Sequence, residues 1–424
     1  MLRLFMLCNN CLVSDHLQVK IEEGSERRLS TNLNSACCIN SCDDDYLRRF
    51  CCSSLQRKCI LYYLAVQFVS INADSVMNLR SISLLSLFHF CCAAPDVSKC
   101  LRTSGNLTEL SACFTPFIQT KTNSTKWSDM KPTPNQRSAW TQTVTELLNF
   151  NQNCTTIPVP ASIEPFVSIG TFADASLNQD FCVLYETSVT KDGKWEKGWG
   201  VFVVPASNTQ SGGPHLHFSA AHPITDGPVQ DQAFFLFGQN RARSVTIPGA
   251  TRFAIKETKS PCQPKNYLMD AAHNNDTMFH TTLLATLDWQ LAKGCDQQSC
   301  SFIQFHGMKR STCSPVDVFL SYGAKTKARI YADPSSSINV LQNSLKQFSN
   351  WTVATPTTGH CILTATTNVF GRVTNGVPIG SECFTSAQPD QTSGLFIHAE
   401  QTWDPRNPEG YEVWANALAE TFNR

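Results

Sequence analysis

Three apolar runs of the chain end in residues able to do chemistry. "LHFSAAHPITD" closes on His222 and Asp226, "SFIQFHG" on His306 and Gly307, and "GLFIHAEQT" carries His398 and Glu400. Two neutral imidazoles and one carboxylate, with a further position left open, are a standard ligand set for catalytic zinc. An ion so held lowers the pKa of a water molecule, and a second carboxylate can take the proton and pass it to a leaving group. The residue types and their order nominate His222, Asp226 and His306 as ligands of one zinc ion and Glu400 as the general base. Strand alternation places His398 and Glu400 on one face, opposite Ile397 and Ala399. Asp226 has a second reading of equal standing, as the N-cap of a helix starting near Gly227-Pro228.

Other polar residues form an outer tier. "DAAHNNDT" (270–277) offers His273 and Asn274 for substrate binding or oxyanion stabilisation, while Asp276-Thr277 also reads as a helix start. Arg252 in "GATRFA" and Arg372 in "TNVFGR", with Asn368 beside it, are candidates to grip a substrate carboxylate through a bidentate fork. His215 and His217 alternate with Leu216 before the site and are candidate orienting partners for a ligand histidine. His280, His360 and His398 read as structural. No serine or cysteine nucleophile stands in a recognised elbow.

The elements that must position these residues alternate. Strand-like runs "FVSIGTFA", "DFCVLYETSV", "GWGVFVVPA", "LHFSAA", "RSVTIPG", "SFIQFHG", "VDVFLSYG", "HCILTATT" and "GLFIHAEQT" are interleaved with helical stretches. These cover Val229 to Asn240, "NDTMFHTTLLATLDWQLAKG" ended by Gly294, "SSSINVLQNSLKQFSN" and "PEGYEVWANALAETFNR". An earlier helix is expected over about Gln136 to Phe150. Such alternation predicts an α/β three-layer sandwich with a mixed, largely parallel central sheet. A small polar N-terminal extension precedes it. In an open α/β sheet, ligands sit outside the carboxyl ends of the strands, where the three histidine-bearing runs end.

The 424 residues carry no formal net charge, so no electrostatic footprint for nucleic acid is expected. Residues 1–76 hold clustered cysteines without a sustained period and read as a gene-model artefact or a disordered extension. "MNLRSISLLSLFHFCCAAPD" then has the basic start, short apolar run and small-residue exit of a signal peptide over 77–94. The run is too short for a stable membrane anchor. Five Asn-x-Ser/Thr sequons, Asn106, Asn123, Asn153, Asn275 and Asn350, lie downstream, as expected of a secreted glycoprotein. Of the 20 cysteines, ten follow residue 95, an even set suited to disulfides in an oxidising compartment. Local bridges are the simplest guesses, with Cys295 and Cys300 near Cys313 and Cys361 near Cys383. The remaining divisions are an N-terminal helical or irregular extension, 95–160, and an α/β domain, 161–424.

The blocks "AHPITD", "DAAHNND", "FHG", "TNVFGR" and "FIHAEQT", spread over roughly 215–405, resemble the zinc carboxypeptidase-like hydrolases. They are nearest the branch of N-formylglutamate amidohydrolases and poly-γ-glutamate hydrolases and a family of secreted proteins related to it. The resemblance implies His222, Asp226 and His306 as metal ligands and Glu400 as general acid/base. It implies cleavage of an amide, peptide or isopeptide bond, γ-glutamyl bonds among them, in a small-molecule or peptide substrate by a monomeric enzyme. Two departures stand out. This chain has His-x3-Asp where carboxypeptidases have His-x-x-Glu, and it lacks a clear counterpart of their substrate-binding Asn-Arg pair. Those departures suit an alternative, a non-catalytic secreted binding or effector protein on a decayed hydrolase scaffold.

Overall fold

The computed structural model describes residues 96–149, 154–207 and 215–422, together with Leu7–Cys8 paired antiparallel to Cys11–Leu12. The chain forms two compact units, Met1–His89 and Phe90–Arg424. The second unit carries the candidate site. Apart from that short strand pair, the divisions expected over 1–76 and 77–94 lie outside the described residues, as does Asn153.

The strands of the second unit are β1 (Val167–Asp174), β2 (Gln179–Glu186), β3 (Val201–Pro205), β4 (His215–Ser219), β5 (Ser244–Ile247), β6 (Cys300–Gly307), β7 (Val318–Ser321), β8 (Val353–Ala354) and β9 (Phe396–Gln401). They join in one sheet in the order β8-β7-β9-β6-β4-β5-β3-β2-β1. Its centre, β9-β6-β4-β5, is parallel throughout. β7 runs antiparallel to β9, and β1, β2 and β3 form an antiparallel flank against β5.

Helices α1 (Lys99–Thr103), α2 (Leu107–Phe114), α3 (Pro134–Asn149), α4 (Val229–Gln239), α5 (Met278–Lys293), α6 (Ser337–Phe348), α7 (Val369–Thr374) and α8 (Pro408–Phe422) supply the outer layers. The pleat distributes side chains between two cores. Phe181, Val183, Leu216, Phe218, Ile303, Phe305, Ile397 and Ala399 point to the face covered by α2, α4, α6 and α8. Cys182, Leu184, Phe202 and Val204 point the other way, under α3 and α5. Phe302 and Phe396 share that second face with Phe279, Leu283 and Leu287, spaced four apart along α5. The result is a mixed α/β three-layer sandwich. Residues 96–149 contribute to both layers: Ser111 Oγ on α2 donates to Asp231 on α4 (2.7 Å), and Trp140 Nε1 on α3 donates to Thr282 on α5 (2.8 Å).

The stretch "HCILTATT" (360–367) is not a strand. The pairing position beside β7 belongs to Val353 and Ala354, and Ile362 is 83% exposed. With no second face to bury and Cys361 tied to Cys313, these residues form an irregular connection. The ten downstream cysteines form five disulfides: Cys100–Cys113, Cys154–Cys182, Cys262–Cys383, Cys295–Cys300 and Cys313–Cys361. The pairing of neighbours holds for Cys295 and Cys300 but not for Cys361 and Cys383, whose partners come from distant loops. Among the described residues, no helix is long and apolar enough to cross a membrane.

Trp414 on α8 is fully buried and meets Phe305 edge-on at 5.4 Å. Trp414→Ala should cost about 3–5 kcal/mol of stability in denaturant titration, because that core cannot collapse around the lost ring.

Candidate metal centre

The four parallel strands deliver their carboxyl ends to one edge, and the candidate residues leave from there. β4 continues through Ala220 and Ala221 into a tight double turn, in which Asp226 N donates to His222 O (3.1 Å) and Gly227 N to Ile224 O (3.2 Å). Ile224 has φ +65°, a conformation β-branched residues seldom adopt. Strain of this kind is tolerated where the surrounding structure demands it, and here it brings Asp226 back onto His222.

His222, Asp226 and His306 are all buried, at 2%, 6% and 2% exposure. Asp226 Oδ2 lies 3.1 Å from His222 Nδ1 and 3.4 Å from His306 Nδ1, and the two Nδ1 atoms are 3.1 Å apart. Ligand atoms of a tetrahedral zinc held at about 2.0–2.1 Å stand roughly 3.3 Å apart, so one ion fits this triangle. The far nitrogens are engaged. His222 Nε2 faces Asp270 Oδ1 at 2.8 Å, and His306 Nε2 faces Gln304 Oε1 at 2.8 Å. A ligand histidine that gives its other N–H to a carboxylate or carbonyl oxygen is held in the tautomer and orientation a metal needs.

Asp270 anchors a wider network. Its Oδ1 also meets His273 Nδ1 (2.9 Å), and its Oδ2 accepts from Arg252 Nη2 (2.9 Å). Arg252 Nη1 reaches within 3.1 Å of His222 Nδ1, which puts the guanidinium beside the triangle. Two further triads have the proximity a metal requires: His222 with Asp270 and His273, and His306 with His398 and Glu400. The first uses the nitrogen of His222 that turns away from His306. In the second, the rings of His306 and His398 lie tilted against each other, centroids 4.4 Å apart. The triangle on Asp226 is the set that leaves both histidines oriented by outer partners. A fourth group, Cys313 with His360 and Cys361, has its sulfurs closed in a disulfide.

Register explains the position of Glu400. On β9 it lies opposite His306 of β6, and His398 lies opposite Gln304, so all four share the α5 face. His398 Nε2 is 3.6 Å from Glu400 Oε1, while its Nδ1 is buried without a partner.

Charge is tightly balanced. Burial opposes protonation of His222, but Asp270 and Asp226 outweigh it and hold its pKa up at about 9. Burial holds His306 down at about 4 and keeps His398 neutral, well below the usual histidine range. Burial would raise Asp226 and Asp270, yet His222 beside them keeps both well below the ordinary carboxylate value. Glu400 moves the other way, pushed up to about 7 by burial and by the negative charge of Asp226. A carboxyl poised near neutrality is matched to proton transfer.

The two readings of Asp226 separate here, since Pro228 is the N-cap residue of α4 and no side chain caps that end. Asn274 faces inward, donating to Leu268 O (2.6 Å) and accepting from Asp276 N. Thr277 caps α5. Asn368 caps α7 and donates to Gln304 Oε1 (2.6 Å), orienting the partner of His306. Arg372 is turned onto the carbonyl oxygens of Thr366, Glu382 and Cys383. His215 and His217 meet through Gln290 at the opposite end of β4 from His222. Of the sequons, Asn123 and Asn350 are exposed, Asn106 caps α2, and the amide nitrogen of Asn275 donates to Glu382 (2.8 Å). Asp270 was missed in sequence, and His398 was read as structural. Asp270 opens the "DAAHNND" block three residues before His273, which was its only local signal.

No family model and no curated protein matches the chain. Among solved structures, it is similar to a gene product of Agrobacterium tumefaciens at 11% identity, covering 50% of this chain and 90% of that one with a TM-score of 0.30. It is also similar to two candidate metallopeptidases. The one from Shewanella denitrificans is 12% identical, covers 68% and 88% and scores 0.25; the one from Shewanella amazonensis is 10% identical, covers 68% and 94% and scores 0.24. Likenesses of this size carry no weight for mechanism, which rests on the side-chain geometry.

His222→Ala and His306→Ala should each abolish stoichiometric zinc binding, read by mass spectrometry of the metal content. Asp270→Asn should keep the stoichiometry but weaken affinity by about 10–100-fold, the usual cost of losing an orienting carboxylate.

Proposed function

We propose that the protein is a secreted, zinc-dependent hydrolase of an amide, peptide or isopeptide bond, γ-glutamyl bonds included. The observation that carries this reading is the triangle of His222 Nδ1, His306 Nδ1 and Asp226 Oδ2, with sides of 3.1, 3.1 and 3.4 Å beside a glutamate poised near neutrality. Those three side chains would hold one divalent ion. When bound, the ion supplies Lewis acidity, lowering the pKa of water and polarising a carbonyl.

The chain's own groups then do the rest. Glu400 takes the proton from water as the water oxygen attacks the carbonyl carbon, and it delivers that proton to the nitrogen that leaves as amine. Arg252, within 3.1 Å of His222 Nδ1, is placed to donate to the carbonyl oxygen as it gains negative charge. Asp270 fixes both His222 and Arg252 and so couples the ligand to the oxyanion donor. Secretion is inferred from five disulfides in a chain with exposed sequons.

The test is a screen of peptide, N-acyl amino acid and γ-glutamyl substrates with the zinc-loaded chain. Glu400→Gln should lower turnover by about 10²–10⁴-fold with zinc content unchanged. Unchanged turnover would remove Glu400 from the mechanism. A folded chain that binds no zinc would turn the reading toward a binding protein.

A further inference from the structure

The connection that follows α7 is anchored from within. Cys383 is bonded to Cys262, and Arg372 Nη1 donates to the carbonyl oxygens of Glu382 (2.7 Å) and Cys383 (2.9 Å). The buried carboxylate of Glu382 accepts from Asn275 Nδ2 (2.8 Å) and from Gly380 N, with His280 Nε2 at 3.4 Å. Val369 packs beneath the disulfide. Yet the two large apolar side chains of this loop face water, Ile379 at 61% exposure and Phe384 at 76%. Single exposed apolar residues are ordinary, but a pair presented on one braced loop marks a contact surface.

The disulfide ties that loop to a basic one. In 253–267, Lys256, Lys259 and Lys265 are all exposed. Lys259 bridges to Tyr267, with its Nζ 3.4 Å from the ring centre and donating to Lys265 O (3.3 Å). Phe253, 39% exposed, meets Tyr267 edge-on at 5.6 Å, and Lys256 Nζ lies 5.9 Å from its ring. Glu257 is the one acid of this segment, and its carboxylate is occupied by Ser124 N (2.6 Å). Among the described residues, none of the three lysines has a carboxylate within the 4.0 Å of an ion pair. Across 376–386 the only charged residue, Glu382, is buried.

We propose that Ile379 and Phe384, with Lys256, Lys259 and Lys265 around Phe253, form a docking surface for an anionic lipid membrane. Apolar side chains enter the boundary between headgroups and acyl chains, while lysines without a fixed partner meet the negative headgroups. Neither element anchors a protein firmly by itself, and the disulfide holds the two together. The surface begins one residue from Arg252, so docking would set the candidate metal centre close to the lipid. It uses none of the proposed ligands and does not require zinc.

The experiment is co-sedimentation of the full chain with vesicles of phosphatidylcholine alone and of phosphatidylcholine mixed with phosphatidylserine. The wild type should partition onto the anionic vesicles, and high salt should weaken that binding. Ile379→Ser combined with Phe384→Ser should lower the partition coefficient by about tenfold or more for each side chain removed. Lys256→Gln, Lys259→Gln and Lys265→Gln together should lower it by about fivefold per lysine. All three lysines are exposed, so that variant keeps the test decisive if the apolar one does not fold. A wild type that ignores both vesicles, or binds the two alike, overturns the proposal. Binding that survives in both variants overturns it too, because residues elsewhere in the chain then hold the lipid. So does a chain that stays in solution and self-associates through Phe384 in sedimentation velocity, which would give the surface to a second copy.

Discussion

One buried imidazole holds the centre together. His222 is pinched between Asp226 on one nitrogen and Asp270 on the other, at 3.1 and 2.8 Å. Two carboxylates at 6% and 1% exposure would repel each other and resist burial unless positive charge stood between and beside them. His222 stands between, and Arg252 beside. In this arrangement the charge is shared by a proton on His222, whose pKa is held up at about 9. A divalent ion on Nδ1 would take the place of that proton and meet the same electrostatic demand.

The sheet makes this pinch possible. Parallel β4, β5, β6 and β9 end at one edge, so loops distant in sequence meet there without long excursions. The pleat then sorts each strand. Ile303, Phe305, Ile397 and Ala399 go into one core, while Gln304, His306, His398 and Glu400 face the other side. A slip of one residue in β9 against β6 would exchange those sets, burying a carboxylate in the aliphatic core. The apolar half of each strand therefore enforces the register on which the polar half depends.

Around the candidate ligands, the surroundings are cross-braced. Cys262–Cys383 ties the connection after β5 to that after α7, and Arg372 braces the carbonyls of Glu382 and Cys383. Asn368, at the start of α7, reaches back to Gln304 and so to His306. Groups that resemble a substrate clamp in sequence, Arg372 and Asn368, serve here as scaffolding.

His222, His306 and Glu400 were legible because strand-end position and alternation are written in local order, as were most elements, whose apolar periods and caps are local too. The α/β layering followed from that alternation. What the tertiary structure alone decided depends on residues far apart in the chain. Asp270 reaches His222 across 48 positions, and Cys262 reaches Cys383 across 121. His398 looked like one more core histidine until the register laid it on His306. The run at 360–367 has strand composition, but the sheet edge was already taken by Val353 and Ala354. Gly307 is visible in sequence as a place where something approaches closely; only the fold reveals that the visitor is Arg406. Local order determines which residues can form an element and which face they present, whereas charge pairing and close approach are settled only when separate loops are packed against one another.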